Sequence, residues 1–575
     1  MKYIKYCFFI LSVVSIVSCE SMFNPVDENL LTEDQINYAP EWAEGILLNA
    51  YKGRLDNQYP MDLDAATDNA VHTDQENQYR RVATGEWSAM YTPGYLNRWG
   101  MYQDIFYVNK FLTTIENVTW RKDEEANELF KMRLYGEAVG MRALLHLDIL
   151  LVHGGVGESG ELLGIPYYSR FLEYTENFNV PRLSFEATID SIQADFSEAL
   201  ELLPMDYTDN PEDVPDRYKD NDYEKYKLVF GSNTNLRLSG RMIKAYQARL
   251  ALFAASPAFL NSSAYYNEAA SLAAELINDL GGVGALDPTG STYYRQTSPK
   301  PEMIDRSSVY SSSGPEKNHY PPSLRGKGQL NPSQELVDAF PMKDGYPIDD
   351  ANGAYAYDAN DPYKDRDPRL RLYIIYNGSN ALNNRMIHTG IGGGLNRVDS
   401  IPGLSTRTGY YVRKGLFDNV NINANGSATD RTRYHVLMRY TEQFLIFAEA
   451  ANELGGPDHM VDGISARQAI AEIRKRAGIE QPDSYLESVS TKEEMRELIR
   501  NERRLELCFE GKRFWDLRRW KLELTESVSG VLFDGSAYQT LNEVEERIYN
   551  NAAYYAPIPF GEIRKFDALE QNAGW

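Results

Sequence analysis

The chain has 575 residues, and its 83 acidic against 59 basic side chains leave a formal net charge of -24. That balance excludes nucleic acid or an anionic membrane surface as a bulk partner, because phosphate arrays attract Lys and Arg and repel an excess of carboxylates. A chain of this length buries a large core or several ordinary ones, so small-scaffold staples are not required.

The N-terminal stretch reads MKYIKYCFFILSVVSIVSC. Lys2 and Lys5 give a basic start, Cys7 to Val17 an uncharged apolar run, and Ser18 a small residue before Cys19, which is the architecture of a secretory signal. The run is about half of the roughly 20 residues that a membrane-spanning helix needs. Ile16, Val17 and Ser18 before Cys19 fit a bacterial lipobox, so Cys19 is expected to be acylated and to become the new N-terminus of a water-soluble body on a lipid tether. Removal of Cys7 and acylation of Cys19 leave Cys508 alone, with no intramolecular disulfide to form. Cys508 sits in an apolar helical run and reads as a small buried hydrophobe.

From residue 41 onward, helical patterns dominate. EWAEGILLNAYKGR puts Trp42, Ile46, Leu47, Ala50 and Tyr51 on one face. Trp99, Tyr102, Ile105, Phe106, Asn109 and Leu112 continue the pattern, with Trp99 read as core, and ELFKMRLYGEAVGMRALLHLDILLVHGG ends on paired glycines. Ile189, Ile192, Phe196, Ala199, Leu200 and Leu203 keep the 3.6 spacing up to Pro204, and two small-residue-rich segments follow in GRMIKAYQARLALFAASPAF and YYNEAASLAAELINDLGG. Residues 281–430 change to Gly, Pro, Asn, Ser, Asp and Tyr, the composition of long functional loops. Helices return with LMRYTEQFLIFAEAANELGGP, then a segment with a Ser465/Gln468 capping box that stops at Gly478, and then one that Thr491 and Glu494 cap. In this last helix Met495, Leu498, Ile499, Leu505 and Phe509 form the buried stripe, and Glu502, Arg503, Glu506, Glu510 and Arg513 are spaced for ion pairs one turn apart.

The expected fold class is mainly α: a tetratricopeptide-like α-α superhelix without a clean 34-residue period, carrying a large irregular loop-rich face. The expected organisation is a signal peptide over 1–18, a lipidated tether over 19–40 and a single domain over 41–575. Within that domain, helical parts over 41–280 and 431–575 flank a loop-rich insertion over 281–430.

Several motifs in order resemble one family. They are GEAVGMRALLHLDIL, GIPYY, NVPRLSFEATIDSIQADFSEALELLP, NPSQELVDAFPMKDG, RDPRL, IRNERRLELCFEGKRFWDLRRW and the closing YYAPIPFGEIRKFDALEQNAGW. Together they resemble the SusD/RagB family of surface glycan-binding lipoproteins over almost the whole mature chain, departing mildly at Leu144, where an aromatic is expected. The resemblance implies about four tetratricopeptide-like helix pairs and no covalent chemistry. It also implies a partner, a SusC-like TonB-dependent transporter in the outer membrane, over which the lipoprotein acts as a hinged lid on the extracellular side.

Glycan binding without hydrolysis needs flat rings against sugar C–H faces and short polar partners for hydroxyls. The 40 Tyr, against 22 Phe and 7 Trp, fit that requirement. Two regions qualify. The first offers Asp68, Asn69, Arg80 and Arg81 as hydroxyl partners and Trp87, Tyr91 and Tyr95 as platforms; the resemblance adds weight to Asp68, since family ligand loops include the segment where TDN stands here. The second holds Tyr293, Tyr294, Tyr310, His319 and Tyr320. Asp349, Asp350 and Asn352 are rich enough in oxygen to hold a structural Ca²⁺, although such clusters are mostly turns and the twelve-residue loop pattern is incomplete. The seven His show no zinc spacing, and no Gly-rich loop cradles a phosphate. The alternatives are a helical glycoside hydrolase and a peptide-binding helical adaptor; no carboxylate pair in the sequence singles out the former.

Overall fold

The structure is a computed structural model and describes residues 38–56, 60–380 and 382–575. Cys19 and the signal and tether segments before residue 38 lie outside the described residues.

The helical body is built from helices packed in pairs. Helix α1 (Pro40–Asp56) packs on α2 (Tyr102–Thr114), α3 (Glu124–His153) on α4 (Phe185–Leu200), and α5 (Gly240–Ala255) on α6 (Ser263–Asp279). Helix α7 (Tyr440–Gly455) packs between α6 and the pair α8 (Ala466–Ala477) and α9 (Lys492–Leu507), which a short α10 (Arg513–Arg519) follows. The expected superhelix of about four helix pairs is present.

Local chemistry explains where these helices start and how close they come. The Asp123 carboxylate accepts from the Ala126 N–H at 3.0 Å and opens α3, while both the Ser465/Gln468 and Thr491/Glu494 capping boxes form. Gly478 ends α8 in the left-handed conformation at φ 91°. On α3, a Cβ at Gly140 would stand 3.1 Å from the Ala199 Cβ of α4, so glycine permits that crossing.

Two features differ from the sequence reading. Trp42 is 60% exposed, because the buried stripe of α1 runs through Ala43, Leu47 and Ala50, leaving Trp42 on its flank. Glu502, Arg503 and Glu506 of α9 do not pair with one another along a solvated face, as Arg500 and Glu497 do at 3.0 Å on the outer side. Their own face is covered by the RDPRL segment and by α8: Arg369 reaches Glu502 at 2.9 Å, Arg474 reaches Glu502 at 3.1 Å, and Arg476 reaches Glu506 at 2.9 Å. Buried carboxylates without these guanidiniums would be strongly unfavourable, so the network fixes how the loop-rich face seats on the helices.

That face has its own apolar core, drawn from three distant stretches of chain that include Leu63 to Leu96, Tyr320 to Ile422 and Leu505 to Ala556. Its strands are short ribbons. β1 (Ala70–His72) pairs with β4 (Leu330–Pro332); β2 (Met303–Arg306) with β6 (Val436–Arg439); and β3 (Tyr310–Ser312) with β5 (Arg431–Arg433), where Tyr310 stands opposite Arg433.

Candidate functional site

The β3–β5 and β2–β6 ribbons rise from the N-terminus of α7 and wall one side of a cleft of about 710 Å³. Tyr293 and Tyr294 enter from a 3-10 turn (Gly290–Arg295), His319 from a short helix (Gly314–His319), and Phe509 and Glu510 from the turn that follows α9. Phe509 holds φ at +61°, a left-handed backbone uncommon for a non-glycine residue, which ends the helix at the cleft.

Tyr310 and His435 stack with ring centroids 4.2 Å apart and planes 11° from parallel, both half-buried in the cleft wall beside Tyr434. A paired ring platform with one open edge suits the apolar face of a sugar. Polar partners lie within the same walls. The Tyr294 hydroxyl and His319 Nδ1 are buried and have no hydrogen-bond partner among the described residues, as expected where water or a ligand hydroxyl completes the bonding. Burial pushes the Tyr294 hydroxyl up to about 12, so it stays a neutral donor. Burial, with the Arg433 guanidinium adding to it, pulls His435 down to about 4, and burial pulls His319 down to about 4 as well.

Of the second sequence region, Tyr293, Tyr294, Tyr310 and His319 line this cleft. Tyr320 does not: it is fully buried behind the wall, and its hydroxyl donates to the Phe417 carbonyl at 2.5 Å.

None of the first region lines the cleft. Trp87 is 7% exposed, edge-on to Phe514 at 5.5 Å and to Trp575 at 5.0 Å, and therefore belongs to the core. Tyr95 is buried as well. Asn69 is fully buried, donating to Asp64 at 3.0 Å and accepting from Arg504 at 2.8 Å. Asp68 is ion-paired with Arg513 at 2.6 Å and Arg504 at 3.1 Å. Arg80 is paired with Glu545 at 2.7 Å, and Arg81 with Glu86 at 2.6 Å, the Arg81 guanidinium lying 4.5 Å above the Tyr91 ring.

At the third candidate, the Asp350 carboxylate accepts from the Asn352 backbone N–H at 2.9 Å and side-chain amide at 2.8 Å, the geometry of a turn. Among the described residues, Asp349, Asp350 and Asn352 belong to no grouping of three or more His, Cys, Asp or Glu side chains able to hold a metal ion.

Sequence reasoning missed Tyr434, His435, Arg433, Phe509 and Glu510. Arg433 closes β5, while Tyr434 and His435 fall in the two-residue link between β5 and β6, which no strand period in RTRYHV marks. The last two looked like helix continuation.

Two family models match the chain. The SusD family model covers residues 294–575, and a model described as starch-binding associating with outer membrane covers residues 28–219. Among curated proteins, SusD-like protein P2 of Formosa agariphila is 29% identical over 170 residues, 29% of either chain. SusD-like protein P38 of the same organism is 33% identical over 101 residues, 17% of this chain and 20% of that one, so the alignments span under a third of both relatives. Among solved structures, a SusD-like protein of Bacteroides fragilis is 26% identical with a TM-score of 0.71, covering 93% of this chain and 96% of that one. Surface glycan-binding protein A of Bacteroides fluxus is alike in fold, with a TM-score of 0.60 at 19% identity over 93% of this chain and 99% of that one. With a helical superhelix carrying a loop-rich face, and both halves matched by family models, the chain belongs to the SusD/RagB family.

Proposed function

We propose that this protein is a non-catalytic, surface-exposed lipoprotein that captures oligosaccharide in the Tyr310–His435 cleft and delivers it to a SusC-like TonB-dependent transporter. The observation that carries the reading is the stacked, half-buried Tyr310–His435 pair in a lining shared with residues whose buried polar atoms are unpartnered. Rings with adjacent donors and acceptors are what a sugar requires. The family description as starch-binding and the glycan-binding name of the Bacteroides fluxus neighbour agree with it.

A binding role rather than hydrolysis is favoured by the cleft's charge. Glycoside hydrolysis uses two carboxyl groups about 5–10 Å apart, one of them with a raised pKa. Among the described residues lining the cleft, Glu510 is the carboxylate, and although burial works to raise it, Arg439 and Lys414 hold it below its ordinary range. It therefore remains an acceptor and not a general acid.

Among the described residues, no helix is long and apolar enough to cross a membrane, which fits attachment through an acylated Cys19. Two measurements test the reading. Affinity electrophoresis against plant, microbial and host polysaccharides should show retardation with no release of reducing sugar; sugar release abolished by Glu510→Gln would replace the reading with a hydrolase. A Cys19→Ala variant should leave the membrane fraction yet still bind glycan.

A further inference from the structure

We infer that the cleft selects uncharged oligosaccharide and turns away chains bearing uronate or sulfate. The inference rests on the glycan-binding reading above. Every charged side chain among the described lining residues already has its counter-charge inside the wall. Arg433 is buried and ion-paired with Glu316, and its Nε and Nη1 donate to the Ser312 and Gly415 carbonyls, both at 3.0 Å. Glu510 is held by Lys414 at 2.7 Å and Arg439 at 2.9 Å, while Lys414 also donates to the Glu506 and Cys508 carbonyls at 2.7 and 3.0 Å.

The two lining histidines stay neutral above pH 5, since burial pulls both down to about 4. Arg306 lies outside the lining, its guanidinium 5.3 Å from the Tyr434 centroid and its Nη1 donating to the Ser307 carbonyl at 3.1 Å. Arg80 and Arg81, the cations that sequence alone offered to an acidic glycan, stand elsewhere and are paired with Glu545 and Glu86.

An anion entering such a cleft sheds hydration and meets no unpaired cation among the described lining residues, an unfavourable exchange that the net charge of -24 worsens over the whole surface. A neutral sugar meets rings and, in the same lining, the residues that carry the unpartnered Tyr294 hydroxyl and His319 Nδ1. Its hydroxyls complete bonds that the protein leaves open.

The test is affinity electrophoresis of the mature protein in gels of neutral glucans, galactans and mannans and, in parallel, of polygalacturonate, alginate and a sulfated galactan. The expected result is retardation by at least one neutral polymer, changing less than about twofold between about 0.05 and 0.5 M NaCl, and none by the anionic set. Glu510→Gln leaves Lys414, buried behind the lining, without its carboxylate partner, while Arg439 keeps Glu302, and should turn absent retention on an anionic polymer into measurable retention at low salt. Salt-sensitive retention of the unaltered protein by an anionic polymer overturns the inference and leaves glycan binding standing. Retention by no polymer overturns both.

Discussion

Arg513 Nη2 donates to Asp68 Oδ2 at 2.6 Å and joins positions 445 residues apart in the chain. Arg504 closes on the same carboxylate, whose side chain is 17% exposed. Burial works to raise Asp68, but the two guanidiniums hold it well below the usual carboxylate range. Removing Asp68 leaves two buried cations short of a partner, so Asp68→Ala is expected to cost about 3–5 kcal/mol in urea unfolding. Because its folded pKa is depressed, Asp68 stabilises the protein above about pH 4 and the contribution is lost as the pH falls below that value. Unchanged unfolding with lost glycan retention would instead make this segment the ligand loop.

Trp87→Ala should act the same way, through the core. The indole packs edge-on to Phe514 and Trp575 and is 7% exposed, so truncation opens a cavity and lowers stability by about 3–5 kcal/mol. Tyr320→Phe removes the hydroxyl that donates to the Phe417 carbonyl and accepts from the Val420 N–H at 3.3 Å, and should cost about 1–3 kcal/mol. Calorimetry on both variants, with glycan retention of the folded protein unchanged, checks the assignment.

Much of the fold was legible because its determinants are local. The capping boxes at Ser465/Gln468 and Thr491/Glu494 and the left-handed Gly478 lie within a turn of the residues they serve, and all three formed. The stripe Met495, Leu498, Ile499 and Leu505 is buried as its spacing implied, whereas Phe509, also buried, lies past the end of the helix in a left-handed turn. Cys508 is fully buried too, its thiol pushed up to about 12 mainly by burial, consistent with an unreactive core residue.

What was not legible depends on distant partners. Nothing near Glu502 says that Arg369, 133 residues away, will neutralise it, and an acidic side chain on a helix reads as solvated until its cover is known. For the same reason Asp68, Asn69 and Trp87 looked like a polar and aromatic ligand loop. The Tyr-rich stretch around Tyr294 and Tyr310 was visible by composition, but the ring that Tyr310 stacks on, His435, lies 125 residues on, in the two-residue link between β5 and β6.

At the cleft, Tyr310→Ala and His435→Ala each remove one ring of the platform while touching little of the core. Each should weaken glycan retention about tenfold, or about 1.4 kcal/mol, with unfolding changed by under about 1 kcal/mol. Retention unaffected by either substitution would move the binding surface away from this cleft.

Acid stability offers a test of the helical body that is independent of ligand. His146 and His153 lie on α3, fully buried, and each is fixed in one tautomer by its neighbours. Nδ1 of His146 donates to the Arg142 carbonyl at 2.9 Å while Nε2 accepts from the Tyr168 N–H at 3.1 Å. Nδ1 of His153 donates to the Pro557 carbonyl at 3.0 Å while Nε2 accepts from the Arg98 N–H at 3.0 Å. A proton on either Nε2 would confront a backbone N–H, and burial already pulls both residues down to about 3. The unfolded chain protonates these histidines near pH 6.5 and the folded chain does not until about pH 3, so stability falls as pH drops through that window. Below pH 6.5 each histidine should contribute a slope approaching about 1.4 kcal/mol per pH unit. Urea midpoints measured from pH 7 to pH 5, above the range where most carboxylates titrate, should carry this slope. His153→Asn, which retains a side-chain donor near the Pro557 carbonyl, should start less stable at pH 7 and lose stability more slowly on acidification. An identical slope in that variant would mean that His153 is protonated in the folded protein.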